Sequence, residues 1–168
     1  MNAVDDVKDQ IRAVRKRYDA LSPGDRAVLR RCKSSDEVML EGAYWRVAGE
    51  AHRRALADVV LLFGEAPHRA TKDFSLGRHL RTHLSSAKEG HSVRVRRLVQ
   101  CERDDLAHRL RGLLRLTSAG HVAIDWGVLG ADIFFFGDAV RRRWTQDFFA
   151  PISLSAPASQ ISETKDHS

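Results

Sequence analysis

The chain has 168 residues, of which 43% are apolar, so it can bury an ordinary core as one compact domain or two small lobes. Its 28 Lys and Arg against 22 Asp and Glu give a net charge of +6, and arginine outnumbers lysine by 22 to 6. This balance favours polyanionic partners, because guanidinium groups suit phosphate oxygens, although arginine-rich solvated helix faces would give the same composition.

Cysteine usage and hydropathy narrow the class of protein further. Cys32 and Cys101 lie in helical patterns outside any C-x-x-C motif, which predicts two buried thiols and excludes a disulfide framework or a sulfur metal site. No apolar run reaches the roughly 20 residues needed to cross a bilayer, and no N-terminal apolar segment precedes a cleavage site. We therefore expect a cytoplasmic protein with no membrane partner.

Helical periodicity dominates the first half of the chain. A helix is predicted over about residues 3–20, and it ends at SPG, where Ser22 can cap the next helix and Pro23 can begin it. The sequence SSDE at 34–37 predicts another capped helix start. Residues 50–64 carry an apolar stripe followed by the stop signal GEAP, and a polar link leads to FSLGRHLRTHL.

The arginine-rich segment at 102–118 has the clearest amphipathic pattern. Its leucines share one stripe, whereas Arg111 and Arg115 fall on the opposite side. We therefore predict that these two arginines lie outside the core.

Two further helices are predicted near the C-terminal end. Asp125 is the expected N-cap of the first, and the second is expected to begin at about Asp138. Trp126 and Trp144 lie on the apolar stripes of these helices, so we expect both to be core anchors and not base-stacking residues.

The fold class follows from the absence of any convincing strand pattern in the sequence. We predict an all-α protein of two small helical bundles. The short polar segment SSAKEG marks the expected boundary between an N-terminal lobe, residues 1–85, and a C-terminal lobe with the basic surface, residues 90–150. Residues 151–168 lack periodicity and are predicted to be a disordered tail.

No motif in the sequence predicts an active site. His79 and His83 in HLRTH could share a zinc ion, but Leu80 stands where the metalloprotease pattern has glutamate, and no third ligand is indicated. Two polar histidines on a helix surface are the favoured interpretation. The sequence has no G-x-S-x-G elbow, and GVLGAD lacks the lysine and flanking strand of a P-loop. We expect no catalysis, no cofactor and no bound metal.

The basic surface remains as the candidate site. Three consecutive helices packed side by side could merge their arginines into one field that binds phosphates without sequence preference. Aromatic residues are not interleaved with these arginines, so backbone contact is favoured over base readout. Salt-bridged helix faces use the same residues, and Glu102, Asp104 and Asp105 are near enough to neutralise some of them. The candidate nucleic-acid-binding residues are Arg94, Arg96, Arg97, Arg111, Arg115, Arg141, Arg142 and Arg143.

Several segments, in their order and spacing over about residues 20–150, carry a family resemblance. They are GDRAVLRRCKSSDEVMLEGAYWRV, SLGRHL, VRVRRLVQCERDDLAHRLRGLLRL and IDWGVLGADIFFFGDAVRRRWTQDFFAP. Together they resemble the N-terminal, middle and C-terminal signatures of the CasB family, the small subunit of the type I-E CRISPR complex called Cascade. The C-terminal match rests on Ile124, Asp125, Trp126, Leu129, Asp132, Arg143, Trp144, Asp147 and Phe148.

The chain departs from the family pattern at four positions. Gly130 and Ala131 stand where the family tends to have bulkier or basic residues, Phe136 where tryptophan is common, and Phe149 where tyrosine is common. At these positions the resemblance does not predict the local packing, nor one surface contact.

The resemblance implies an all-helical, noncatalytic protein of two bundles, present in two copies arranged head to tail along the guide-RNA complex. It further implies that the subunit bridges the backbone and the large PAM-reading subunit, and helps to hold target DNA and the displaced strand of the R-loop. Strand exchange is nearly balanced in energy, so modest contacts from a basic surface can tip it. The expected partners are other Cascade subunits, a second copy of the chain, the guide RNA complex, target DNA and the displaced strand.

Two other functions are compatible with a small, basic, helical chain. A helix-turn-helix regulator would need a recognition helix with base-reading side chains, and usually a dimer. A pure scaffold would contact protein alone, and its complex would bind DNA with unaltered affinity after removal of the arginines.

Overall fold

A computed structural model of the chain describes residues 2–84, 88–117 and 122–150. Within these ranges the predicted all-α class is confirmed, and an isolated parallel bridge between His68 and Ile124 is the sole strand-like pairing. The described helices are α1 (Ala3–Asp19), α2 (Pro23–Arg31), α3 (Ser35–Met39), α4 (Gly42–Ala48), α5 (Arg54–Leu62), α6 (Leu76–His83), α7 (Glu89–Val99), α8 (Leu106–Thr117), α9 (Trp126–Phe134) and α10 (Asp138–Phe149).

The predicted helix starts are confirmed by their capping hydrogen bonds. The Ser22 hydroxyl accepts from the Asp25 N–H at 3.1 Å, and Pro23 is the first residue of α2. The Ser34 hydroxyl likewise accepts from the N–H of Glu37 at 3.2 Å at the start of α3. Such caps satisfy backbone donors that have no partner in the first turn. The helix expected over 50–64 is shorter, because 3₁₀ turns flank α5 on both sides.

Two close helix contacts join parts of the chain that are distant in sequence. α1 packs on α9, where a Cβ added at Gly130 would lie 2.5 Å from Ile11 Cδ1. α6 packs on α10, where a Cβ added at Gly77 would lie 2.5 Å from the Trp144 carbonyl oxygen. Glycine is therefore needed at the α6–α10 crossing, where the obstructing atom belongs to the backbone, whereas a side chain at position 130 would have to displace the end of the Ile11 side chain. Both contacts span the expected lobe boundary, and the division into lobes stays a prediction.

The core contains the two tryptophans that were predicted to anchor it. Trp126 and Trp144 are 0% and 1% exposed, which confirms their predicted burial. The Trp126 indole N–H donates to the Ala66 carbonyl at 3.1 Å, and that of Trp144 donates to Asp132 at 2.9 Å. Cys32 and Cys101 are buried free thiols, as predicted, and burial raises the pKa of both. No helix in the described ranges has the length and hydropathy to span a bilayer.

Arginine side chains donate hydrogen bonds to backbone carbonyl oxygens at the C-terminal ends of five of the described helices. Each guanidinium belongs to a helix other than the one whose end it binds, and it donates to a carbonyl oxygen that has no partner within its own last turn. The positive charge also complements the negative end of the helix dipole. The donors and the backbone carbonyls that accept from them are Arg26 and Asp19 at α1, Arg111 and Arg30 at α2, Arg17 and Val47 at α4, Arg15 and Phe63 after α5, and Arg141 and Val99 at α7.

Candidate nucleic-acid interface

The helix α7 presents three arginines on its outer side. Its inward stripe is formed by Val95, Leu98 and Val99, which are buried against the neighbouring helices. The remaining positions of the helix are directed away from this stripe. They include Arg94, Arg96 and Arg97, which are all exposed, as predicted.

The helix α10 packs on α7 and adds one more exposed arginine. Its predicted buried stripe of Val140, Trp144 and Phe148 is confirmed, and Arg142 projects from the opposite side. Within the described residues, neither Arg94, Arg97 nor Arg142 has an ion-pair or hydrogen-bond partner for its guanidinium. Because no carboxylate in the described ranges neutralises these three guanidinium groups, they can bind external anions. We call Arg94, Arg96, Arg97 and Arg142 the α7–α10 basic face.

A groove of about 740 Å³ runs between the two helices. Its lining contains no Asp or Glu among the described residues, so its charge is entirely positive. The α7 side is formed by Arg96, Val99 and Gln100, and the α10 side by Arg141, Arg142, Thr145, Gln146 and Phe149.

Two of the candidate arginines on α10 are engaged within the protein. Arg141 donates to the Val99 carbonyl at 2.8 Å and lies 4.5 Å over the ring of Phe136, so it joins α10 to the end of α7. Arg143 pairs with Asp132, whose second carboxylate oxygen accepts from the indole of Trp144. Both therefore have structural partners that compete with an external phosphate.

The prediction that Arg111 lies outside the core is wrong. The residue is 8% exposed. Its guanidinium donates three hydrogen bonds, to Glu65 Oε1 at 2.7 Å, to the Cys32 carbonyl at 2.5 Å and to the Arg30 carbonyl at 2.7 Å. The amphipathic pattern of α8 could not reveal this, because the partner carbonyls come from the distant end of α2. A polar stripe of a helix can face another helix end as well as water.

Arg115 lies at the surface, as predicted, but it is also paired. Its Nε donates to both carboxylate oxygens of Glu65 at 3.2 Å. Together with Arg111 it lines a separate hollow of about 550 Å³ beside the end of α2, which also contains Arg30, Arg31 and Lys33.

The eight candidate arginines therefore do not line one common groove. α7 contacts both α8 and α10, but Arg111 and Arg115 face α2 and Glu65, whereas Arg96, Arg141 and Arg142 line the α7–α10 groove. The RRCK sequence at 30–33 is the signal that could have indicated the basic residues beside α8.

The histidine pair differs from its predicted placement. His83 is exposed as expected, but His79 is 9% exposed, with Nε2 at 3.4 Å from the Thr117 hydroxyl. The Thr117 hydroxyl donates to the Leu114 carbonyl, so it accepts from the imidazole of His79. Burial, together with the charge of His83, lowers the pKa of His79 to about 4. No cluster of three or more His, Cys, Asp or Glu that could hold a metal ion occurs within residues 2–84, 88–117 and 122–150.

Comparison with solved structures identifies chains of the same fold. The protein is similar to a chain of E. coli Cascade bound to a PAM-containing dsDNA target, with a TM-score of 0.68 and 23% identity over 82% of this chain and 93% of that one. It is also similar to M. ruber CasB, with a TM-score of 0.62 and 21% identity over 83% of this chain and 90% of that one. A comparison with curated protein sequences finds no match.

A family model gives the assignment. The model of CRISPR-associated protein Cse2 matches residues 25–149, from the first turn of α2 to the last residue of α10. The match includes the α7–α10 basic face, the hollow beside α2 and both buried tryptophans. It confirms the resemblance seen in the sequence, and the chain belongs to the CRISPR-associated Cse2 family.

Proposed function

We propose that this chain is a noncatalytic subunit of a Cascade-type CRISPR guide-RNA surveillance complex. Its α7–α10 basic face stabilises target DNA and the displaced strand of the R-loop. Other faces bridge neighbouring subunits, including a second copy of the chain. The observation that carries the proposal is the set of exposed arginines without carboxylate partners in the described ranges, Arg94, Arg97 and Arg142, in a member of the Cse2 family.

Electrostatics supports a phosphate backbone as the ligand of this face. An arginine that is already ion-paired must break that pair to bind a phosphate, whereas an unpaired arginine gives up only water and counterions. Each phosphate contact releases condensed counterions, so binding weakens steeply with salt. Because R-loop formation exchanges one duplex for another of similar stability, a few such contacts suffice to shift the equilibrium.

The chemistry of the polar groups supports a noncatalytic role. The two cysteines are buried and their raised pKa disfavours the nucleophilic thiolate. The pKa of His79 near 4 leaves the imidazole neutral at physiological pH, and its Nε2 is occupied by Thr117. Neither group lies in the groove of the α7–α10 basic face.

The test compares target-DNA binding by reconstituted complexes across a salt series. One complex carries Arg94→Ala, Arg97→Ala and Arg142→Ala. The matched control carries Lys16→Ala, Arg53→Ala and Arg69→Ala, which removes three exposed positive charges without ion-pair partners in the described ranges from other parts of the surface. We expect the first variant to lower affinity and to flatten the slope of log affinity against log salt by about two to three units.

The control should retain the wild-type affinity and slope, apart from a small effect of net charge. Assembly of both variants is checked by co-purification with the other subunits and a guide-length RNA. Identical affinities and slopes for wild type and the first variant would contradict phosphate binding and favour a scaffold that contacts protein alone.

A further inference from the structure

The groove between α7 and α10 has two features that phosphate binding does not explain. Phe149 lines it and is 38% exposed, which leaves part of an aromatic surface open. Gln100 and Gln146 line it as exposed amides, and neither side chain has a hydrogen-bond partner among the described residues. An anion alone accepts from an amide N–H but uses neither the amide oxygen nor an aromatic face.

The ring of Phe149 packs against a buried aromatic ring. It meets the buried Phe148 edge-to-face, with centroids 4.7 Å apart and an interplanar angle of 82°. The Arg96 guanidinium lies 5.6 Å from the Phe149 centroid and has no carboxylate partner in the described ranges. This contact at an exposed site is weak, so Arg96 can move aside or extend a stack built on the ring.

We propose that this groove holds one unstacked base of single-stranded nucleic acid, which stacks on Phe149. Arg96 and Arg142, on opposite walls, contact the phosphates on either side of that nucleotide. The amides of Gln100 and Gln146 bond the edge of the base. This inference rests on the proposed function, and it changes the expected mode of contact, since the sequence favoured backbone binding without base stacking.

The groove has the size and charge for this occupant. Its volume of about 740 Å³ falls within the range of roughly 300–1,000 Å³ that is typical of small-ligand clefts. A cationic ligand is disfavoured because no carboxylate lines the groove in the described ranges. An apolar helix would bury Arg96 and Arg142 without neutralising them, whereas a nucleotide brings its own phosphates.

A base in this groove is compatible with binding that ignores sequence. Stacking on an aromatic ring is available to every base, because every base has a π face. An amide can donate to one base edge and accept from another, so Gln100 and Gln146 adapt to different bases.

The test measures binding of the full-length chain to two fluorescent strands of about 12 nucleotides at low salt. One strand has a mixed sequence, and the other has the same backbone with abasic residues throughout. We expect the wild-type chain to bind the intact strand at least about fivefold more tightly than the abasic strand. Phe149→Leu should remove most of this preference and leave the affinity for the abasic strand unchanged.

Two variants control for folding and for the general loss of an aromatic surface. Phe149→Tyr keeps the ring, so it should retain the preference. Phe135→Leu changes another exposed phenylalanine, which is 46% exposed and does not line the groove, so it should behave like wild type.

Each other outcome overturns a defined part of the proposal. Equal wild-type affinity for both strands excludes the base site and leaves phosphate binding intact. Loss of affinity for both strands in Phe149→Leu means that the residue only supports the groove. If neither strand binds, both the base site and the phosphate-binding surface are wrong.

Discussion

The α7–α10 face and the outer side of α8 have similar sequences but different structures. Both carry arginines spaced among leucines and valines, and both appear as polar stripes of amphipathic helices. On α7 and α10, Arg94, Arg97 and Arg142 are exposed and lack partners in the described ranges. On α8, Arg111 is buried against the end of α2 and Glu65. Whether an arginine of such a stripe is buried and paired or exposed and unpaired thus depends on whether a carbonyl or carboxylate lies opposite it.

The buried arginines replace a cap that the sequence does not supply locally. α2 ends at Arg31 without a glycine, and its last carbonyls would be left without donors inside the protein. Arg111 reaches across from α8 and satisfies two backbone carbonyls there with one guanidinium. The cationic side chain is tolerated in this place because Glu65 and the helix dipole offset its charge.

The largest predicted effect is that of replacing the buried Arg111, compared with replacing an exposed arginine of the α7–α10 face. Arg111→Ala should lower the free energy of unfolding by about 3–5 kcal/mol, because it leaves Glu65 short of a partner and two carbonyls without donors. Arg97→Ala, at an exposed arginine without a partner in the described ranges, should change it by less than about 0.5 kcal/mol. Urea denaturation followed by circular dichroism measures both. Equal effects would contradict the division of the arginines into two classes.

Two glycine substitutions, one at the α6–α10 crossing and one at an open position of α8, test how tightly α6 packs on α10. In Gly77→Ala the new Cβ would lie 2.5 Å from the Trp144 carbonyl oxygen, so α6 and α10 must separate. We expect a loss of about 1–3 kcal/mol of unfolding free energy. Gly112→Ala in α8 meets no atom within 4 Å and should stabilise the protein by about 0.5–1 kcal/mol. The same denaturation measurement applies, and a stabilised Gly77→Ala variant would show that the helix crossing is loose enough to accept a methyl group.

Much of the fold could be predicted because its signals are local. Caps at Ser22 and Ser34 and the stripes that bury Trp126 and Trp144 depend on residues within one helix or its first turn. The exposed α7–α10 arginines were predicted for the same reason. The places of Arg111 and His79 depend on neighbours more than 30 positions away, and periodicity contains no information about such contacts.

The candidate groove illustrates the same limit. Phe149 and Gln100 are 49 positions apart and meet only because α7 packs on α10. The sequence alone showed no aromatic residue interleaved with the arginines, so base contact was not predicted. The packing of the two helices, and not their individual patterns, brings the ring and the amides together.

A pH titration tests His79, the other polar residue whose burial the sequence missed. Its pKa in the folded state is about 4, below the usual value of 6.5, so the unfolded chain binds a proton first as pH falls. The contribution of neutral His79 is present above about pH 6.5 and is lost progressively toward pH 4. Relative to His79→Gln, the wild type should lose roughly 1 kcal/mol of unfolding free energy between pH 7.5 and 5.5. The groups nearest to the imidazole, His83 and Thr117, are retained in both proteins.

Urea denaturation at each pH measures this difference. Because the remaining carboxylates and histidines titrate in both proteins, only the difference between the two curves reports on His79. Parallel pH dependences for the wild type and His79→Gln would mean that folding does not lower the pKa of His79.

The smallest predicted effect concerns Arg115, which is exposed like the α7–α10 arginines but ion-paired like Arg111. It shares Glu65 with Arg111, but its side chain is 59% exposed. An exposed ion pair contributes little, so Arg115→Ala should lower the free energy of unfolding by about 0.2–1 kcal/mol, far less than Arg111→Ala. The double variant Arg111→Ala with Arg115→Ala should exceed the sum of the single effects, because it leaves Glu65, with 12% of its side chain exposed, without either arginine. Strict additivity, measured by urea denaturation of the four proteins, would mean that the two arginines do not share the carboxylate.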